Sequence, residues 1–208
     1  DPSAYLERVD RVVSRRPLDW RAHFARGRGR QALRTELSEA VLDFRRTHFL
    51  NPHAARLPFE EGAAWAPISR ERALQAWRIA LTRRWDIHFD LATALSGQFQ
   101  QYPAMREGLL QISHGNPEVR YTLLMTARPP LFVDQLEEDM RYDERLTGYS
   151  DGQRRDLLRK WAETGANEAL LSLLDRFPDL VVDAWELEAV AQANRGNLRD
   201  AIRLLRRE

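Results

Sequence analysis

The C-terminal stretch Ala184–Glu208 reads AWELEAVAQANRGNLRDAIRLLRRE and contains two helical signals separated by a turn. Ala189 follows Trp185 by one helical turn, so a bulky and a small residue share one helix face. Gly196 is a helix-stop signal, and Asn197 can cap the helix that follows it. The apolar positions of that second helix form one stripe, which consists of Leu198, Ala201, Ile202 and Leu205. The stretch therefore predicts two short antiparallel helices.

The order bulky, small, turn, small, bulky in this stretch resembles a tetratricopeptide (TPR) repeat. An internal period points the same way, because Pro17 and Pro52 are 35 residues apart and Gly27 and Gly62 each follow their proline by ten. This spacing is close to the 34-residue period of TPR arrays. The resemblance implies an all-α fold in which pairs of antiparallel helices pack on one another.

Apolar residues recur with helical spacing along most of the chain, and prolines and glycines separate the periodic segments. The pattern predicts helices over 3–16, 19–33, 37–50, 86–101, 103–114, 116–126 and 130–141, besides the C-terminal pairs. The short stretch Trp85–Phe89 is strand-like but merges into a helical pattern. We therefore expect an all-α protein, built as a right-handed α-solenoid of about six TPR-like helix pairs.

The polar stretch Tyr142–Gly152 contains two glycines and predicts a long loop or a domain boundary. On this basis residues 1–141 form TPR-like repeats with degenerate middle hairpins, and residues 152–208 form C-terminal TPR-like hairpins. We expect the two parts to be continuous with each other, because the same helical spacing runs through both.

Composition excludes several classes of function. The chain of 208 residues has 32 basic and 31 acidic residues, so its net charge of +1 does not predict nucleic-acid binding. It has no cysteine, which excludes thiol catalysis, disulfides and cysteine-bound zinc. No apolar run approaches the roughly 20 residues of a membrane span.

No motif predicts catalysis, a cofactor or a metal. The sequence RGRGR at 26–30 lacks the preceding strand that a phosphate-binding loop needs, and no serine lies in a nucleophile-elbow context. Asp86, His88 and Asp90 alternate, but residues two apart do not face each other in a helix. We therefore expect a protein that is not an enzyme.

The strongest local anomaly is an arginine-rich stretch at residues 15–34, where seven arginines stand against the single acid Asp19. Two helical phases are open. If Gly29 is the residue that packs against the next helix, His23, Arg26, Arg30 and Leu33 face the concave groove of the TPR fold. If Gly27 packs there, Arg21, Phe24, Arg28 and Gln31 face it. The apolar face slightly favours Gly29.

Residues of the predicted groove are the candidates for partner binding. With both phases and the second repeat included, these are Arg21, Phe24, Arg26, Arg28, Arg30, Arg56 and Phe59. Such a groove suits a protein or peptide partner, or an acidic glycan or phosphate-bearing ligand. The alternative is that these arginines form a solvated surface or pair with acids on neighbouring helices.

Three stretches also resemble the soluble TPR tails of bacterial O-antigen ligase or polymerase-like membrane proteins. They are RPLDWRAHFARGRG at 16–29, LDFRRTHFLNPHAARLPFEEGAAW at 42–65 and RALQAWRIALTRRW at 72–85. The resemblance implies a non-catalytic interaction scaffold on the periplasmic side of the inner membrane, as part of a longer protein. A cytoplasmic location is the alternative, and a module that binds an acidic glycan or phosphate is the alternative function.

Overall fold

A computed structural model describes residues 2–34, 36–83, 90–182 and 184–206, and across these ranges the protein is helical without any strand. The prediction of an all-α protein is therefore confirmed. The first residues of the helix predicted over 86–101, and the strand-like stretch Trp85–Phe89, lie outside the described ranges. The helices belong to two compact units, residues 1–113 and 114–208.

The first unit begins with three long helices and continues with shorter ones. Its α-helices are α1 (Pro2–Arg15), α2 (Trp20–Leu33), α3 (Leu37–Leu50), α4 (Arg56–Trp65), α5 (Arg70–Thr82), α6 (Leu91–Gln101) and α7 (Arg106–Ile112), with a 3₁₀ turn at Pro103–Met105. Helix α2 packs against α3, and α4 packs against α5. In each of these two pairs the helices follow one another in the chain, and their TPR-like character stays a prediction.

The second unit contains the remaining helices of the described chain. They are α8 (Pro117–Thr126), α9 (Pro129–Tyr142), α10 (Asp151–Glu163), α11 (Asn167–Arg176), α12 (Ala184–Asn194) and α13 (Leu198–Arg206). Helices α12 and α13 form the predicted C-terminal pair, in which Ala189 and Ala201 are both buried. Gly196, with φ of +83°, makes the turn between them.

The predicted loop at Tyr142–Gly152 connects α9 to α10 inside the second unit. It carries Leu146 and Tyr149 into the interior, where both side chains are buried. The division of the chain into domains at this loop stays a prediction, as does the right-handed stacking of the helix pairs.

Candidate functional site

Helix α2 begins where the sequence gives it a cap. The Asp19 carboxylate accepts a hydrogen bond from the backbone N–H of Arg21, at 3.0 Å, which satisfies one of the free donors at the helix start. The Trp20–Leu33 helix then lies between α1 and α3 and contacts both. Its two faces decide where each arginine of the stretch points.

The helical phase of α2 is set by Gly27, and the preference for Gly29 is wrong. A Cβ atom on Gly27 would lie 3.2 Å from the Phe44 ring and 3.3 Å from the Ala40 carbonyl oxygen, both on α3. A Cβ atom on Gly29 would instead meet the side chains of Tyr5 and Leu6 on α1. Both glycines are packing residues, but they serve different neighbours because two residues apart on a helix means nearly opposite faces.

Arg26 and Arg30, which we call the inner arginines, point at a buried carboxylate on α3. Arg26 donates to both oxygens of Asp43, at 2.9 and 2.6 Å, and Arg30 donates to it at 2.9 Å. The Asp43 side chain is 1% exposed, against 11% for Arg26 and 15% for Arg30. Hydrogen bonding to Asp43 is the main reason why the pKa of Arg26 lies above its ordinary value.

Further acids complete the neutralisation of the inner arginines. Asp10 on α1 lies 3.1 Å from Arg26, and Glu36 lies 3.0 Å from Arg30. Both of these acids are about half exposed, so they pair with the inner arginines at the surface, whereas Asp43 pairs with them in the interior. For these two arginines the structure agrees with the alternative left open by the sequence, in which they pair with acids on neighbouring helices.

Three of the other predicted partner-binding residues make contacts of their own within the first unit. Phe24 packs edge-on against Phe44, with ring centroids 5.7 Å apart. Arg56 on α4 pairs with Glu60 of its own helix, and the carbonyl of Phe59 accepts a hydrogen bond from the Trp77 indole.

Arg21 and Arg28 remain on the surface of α2. Arg21 lies over the Trp20 ring at 4.5 Å, and Arg28 makes no hydrogen bond or ion pair with any residue that the structure describes.

Sequence reasoning missed a groove between α1 and α2. It has a volume of about 460 Å³ and is lined by Tyr5, Arg8, Val9, Val12, Asp19, Arg21, Ala22 and Ala25. Ala22 and Ala25 share the face that carries Gly29, and their short side chains leave room beside α1. The small-residue face was visible in the sequence as the apolar face of α2, but it was assigned to the wrong neighbour.

The lining of this groove combines exposed apolar side chains with an arginine rim. Tyr5 and Val12 are each 43% exposed, and the Tyr5 hydroxyl donates to the Ala25 carbonyl across the groove. On the rim lie Arg8 and Arg21, which we call the outer arginines. Neither has a carboxylate partner among the described residues, since Arg8 donates only to the Ala4 carbonyl at 3.1 Å and Arg21 stacks on Trp20.

The second unit has its own buried aspartate, which is fully engaged. Asp139 accepts hydrogen bonds from Arg120 at 2.7–2.8 Å and from the Tyr149 hydroxyl at 2.7 Å. Burial and the charge of Asp139 raise the pKa of Tyr149, so its hydroxyl stays a donor. His114 lies 3.6 Å from Asp139, beyond hydrogen-bond distance. Because its oxygens are occupied, this carboxylate is better suited to fixing the loop than to acting as a general base.

The described ranges contain no group of three or more histidine, aspartate or glutamate residues that could hold a metal ion. Asp86 and His88 lie outside those ranges. None of the helices within them is both long and apolar enough to cross a membrane. Comparisons with models of protein families, with curated proteins and with solved structures found no match to this chain.

Proposed function

We propose that this protein is a non-catalytic interaction module whose α1–α2 groove binds a partner peptide, an apolar segment flanked by acidic residues. The observation that carries the proposal is the groove of about 460 Å³ that combines exposed Tyr5 and Val12 with the unpaired outer arginines. An apolar cavity with a few oriented polar groups is the usual form of a binding site.

The apolar part of the groove provides the affinity in this account. Tyr5, Val9 and Val12 follow one another along one side of α1, and Ala22 and Ala25 form the facing wall. A partner side chain placed there removes its own apolar surface and theirs from water, which contributes about 25 cal/mol per Å² before the cost of association. An amphipathic helix or an extended segment can present such anchors at regular spacing.

The positive charge around the groove favours a negatively charged partner. Residues 2–34 contain nine arginines and three acidic residues. Asp10 is engaged with the inner arginines and Asp19 caps α2, and neither forms an ion pair with the outer arginines. Among the described lining residues, two arginines stand against the single acid Asp19. Positive potential at the rim favours a partner with carboxylates beside its apolar anchors and speeds its association at low salt.

The wider setting of the module is part of the same proposal. The packing of α2 on α3 and of α4 on α5, with Gly27 and Gly62 at equivalent positions, supports a TPR-like solenoid. The resemblance at 16–29, 42–65 and 72–85 supports a periplasmic tail of a cell-envelope polysaccharide ligase or polymerase-like protein. A full-length gene that encodes a run of about ten membrane spans upstream would support that setting, and a gene without spans would contradict it.

An unbiased peptide library selected on the immobilised protein tests the groove. We expect enriched peptides with apolar anchors flanked by aspartate or glutamate, and their binding should be lost in Val12→Asp. Leu42→Asp is the matched control, because Leu42 is also 43% exposed and lies on α3 outside the groove.

Three outcomes of the selection contradict the proposal. The first is enrichment of peptides without acidic residues, and the second is equal binding to both variants. The third is that only acidic glycans or anionic vesicles bind, with no loss in Val12→Asp, which would favour the alternative function through charge alone.

A further inference from the structure

We propose that the first unit carries a second ligand site, separate from the α1–α2 groove, which binds a compact oxyanion such as a phosphate group. The site is a cleft of about 200 Å³ between α3, α4 and α5, which we call the α3–α5 cleft. Its polar lining consists of Arg45, His48, Glu61, Trp65, Arg72 and Gln75. None of these residues lines the groove, so this inference does not depend on the proposed function.

Among the described residues that line the cleft, Glu61 is the only carboxylate, and its oxygens are already occupied. One oxygen of Glu61 lies 2.5 Å from Nε2 of His48, and the other accepts a hydrogen bond from the Trp65 indole at 3.3 Å. A carboxylate can only accept, so Nε2 of His48 carries the proton that they share. The Glu61 side chain is 13% exposed and therefore forms part of the floor, where it orients His48 and Trp65.

Two arginines line the cleft without a partner of opposite charge among the described residues. Arg45 lies on α3 and Arg72 on α5, and both are exposed. In the part of the chain that the structure describes, neither guanidinium forms an ion pair or a hydrogen bond. Arg72 lies over the Trp65 ring, with its Cζ atom 4.8 Å from the ring centroid, and this stacking restricts the direction of its donors.

The neighbouring Arg83 contributes positive charge but is not a ligand group. Its guanidinium donates to the carbonyls of Asn51 and Ala54, at 3.4 and 3.0 Å, and burial lowers its pKa while the charge of Glu61 opposes that shift. The charge of Glu61 is thus opposed by Arg83, and one of its oxygens is hydrogen-bonded to His48. The charges of Arg45 and Arg72 are left for a ligand.

The available groups of the cleft define the chemical class of that ligand. Two guanidinium groups supply several N–H donors in planar forks, and the Gln75 amide adds two more. Such forks match the oxygens of phosphate and carboxylate groups. A cleft of about 200 Å³ suits a compact group of this kind, whereas larger ligands need the 300–1,000 Å³ of ordinary small-molecule pockets.

The test is an NMR titration of the full chain with inorganic phosphate at low ionic strength, with acetate and a sugar phosphate as further probes. We expect saturable shifts at Gln75 and His48, stronger for phosphate than for acetate. Arg45→Gln and Arg72→Gln should each weaken phosphate binding at least tenfold. Arg46→Gln and Arg78→Gln are matched controls, because both residues are exposed on the same helices but do not line the cleft. Each control should change the affinity for phosphate less than twofold.

Each outcome of this titration supports or contradicts the site. Equal weakening in all four variants would show diffuse attraction to surface charge and overturn the proposal. Shifts that do not saturate in the wild type would overturn it as well. If the sugar phosphate binds as tightly as inorganic phosphate, the site takes the phosphate group of a larger molecule, and if it does not bind, the site takes the free ion. The thermal midpoints of the variants should stay close to wild type, which separates loss of binding from loss of folding.

Discussion

The inner and outer arginines lie within one short part of the chain, yet the fold uses them in opposite ways. The inner arginines, Arg26 and Arg30, donate to Asp43 inside the packed interface of α2 and α3. The outer arginines, Arg8 and Arg21, border the α1–α2 groove without a carboxylate partner among the described residues. The same residue type is therefore paired with a buried acid on one side of α2 and lacks a described carboxylate partner on the other.

This difference teaches that an excess of arginine is a binding signal only where the fold leaves it unpaired. Nine arginines and three acids in residues 2–34 indicate strong positive charge, but the acid that matters most for the inner arginines comes from α3. Once Asp43 is placed between Arg26 and Arg30, these arginines no longer offer their charge to a ligand. Of the other arginines in this stretch, Arg8 and Arg21 line the groove.

The largest expected effect comes from removing the buried acid of the inner cluster. Asp43→Asn keeps the shape of the side chain but removes its negative charge. Arg26 and Arg30 then stay partly buried without their shared carboxylate partner. Breaking a buried ion pair in this way costs about 3–5 kcal/mol of unfolding free energy. Chemical denaturation measures this loss. Glu36→Gln, which removes an exposed partner of Arg30, is the control and should cost about 0–1 kcal/mol. Equal losses would show that Asp43 does not hold the inner arginines.

The second unit repeats the comparison with two cations that are adjacent in sequence. Lys160 is the only lysine of the chain, and its ammonium donates to the carbonyls of Leu124, Met125 and Ala127 at 2.7–2.9 Å. Lys160→Met leaves these carbonyls at the end of α8 without their donor, and we expect a loss of about 1–3 kcal/mol.

Arg159→Met is the control for this prediction. Arg159 is 46% exposed, and its contact with Glu186 is 3.6 Å, so its removal should cost about 0–1 kcal/mol. Thermal unfolding compares the two variants. A smaller loss for Lys160→Met than for Arg159→Met would contradict the distinction between a cation with inner partners and one on the surface.

The close packing seen at Gly27 has a counterpart in the α4–α5 pair, where Gly62 is the residue equivalent to Gly27. A Cβ atom on Gly62 would overlap the Trp77 indole, whose N–H is held by the Phe59 carbonyl at 3.2 Å. Gly62→Ala should therefore cost about 1–3 kcal/mol through overpacking. Gly97→Ala on α6 meets nothing within 4 Å and should stabilise the helix by up to about 1 kcal/mol. Opposite signs in calorimetry would fit close packing of Gly62 on Trp77, and a neutral Gly62→Ala would not.

The smallest effect on stability is expected for the outer arginines. Arg8→Glu with Arg21→Glu reverses two charges at the rim of the groove, where no described carboxylate depends on them. Exposed charges contribute about 0–1 kcal/mol, so the unfolding free energy should change by no more than that. Circular dichroism during denaturation measures it. A loss comparable to that of Asp43→Asn would mean that the outer arginines are structural as well.

Much of the fold could be predicted because local signals and tertiary packing agree. Helix α3 covers the predicted residues, since its apolar positions follow one helical stripe and Asn51 with Pro52 ends it. The Gly196 turn was visible for the same reason. The phase of α2 was not, because Gly27 and Gly29 both pack closely and spacing alone does not say which neighbour each glycine meets.

The inner cluster was harder to predict because its central acid belongs to another helix. Asp43 lies on the buried face of α3 with Ala40, Phe44 and Thr47. An acid at such a position must be paired when buried, and this is the signal that could have drawn attention to the arginines of α2. The groove was missed because a gap between helices depends on the position of α1, which no single helix pattern contains.

The most direct test of the central claim measures the affinity of one library-selected peptide, with apolar anchors and flanking acids, across a series of salt concentrations. Arg8→Glu with Arg21→Glu should weaken its binding at least tenfold at low salt, and the difference should shrink as salt screens the rim. Arg46 and Arg78 are exposed on α3 and α5 outside the groove, and Arg46→Glu with Arg78→Glu should change the affinity for the peptide less than twofold. Equal affinities for the wild type and the outer-arginine variant would contradict the account.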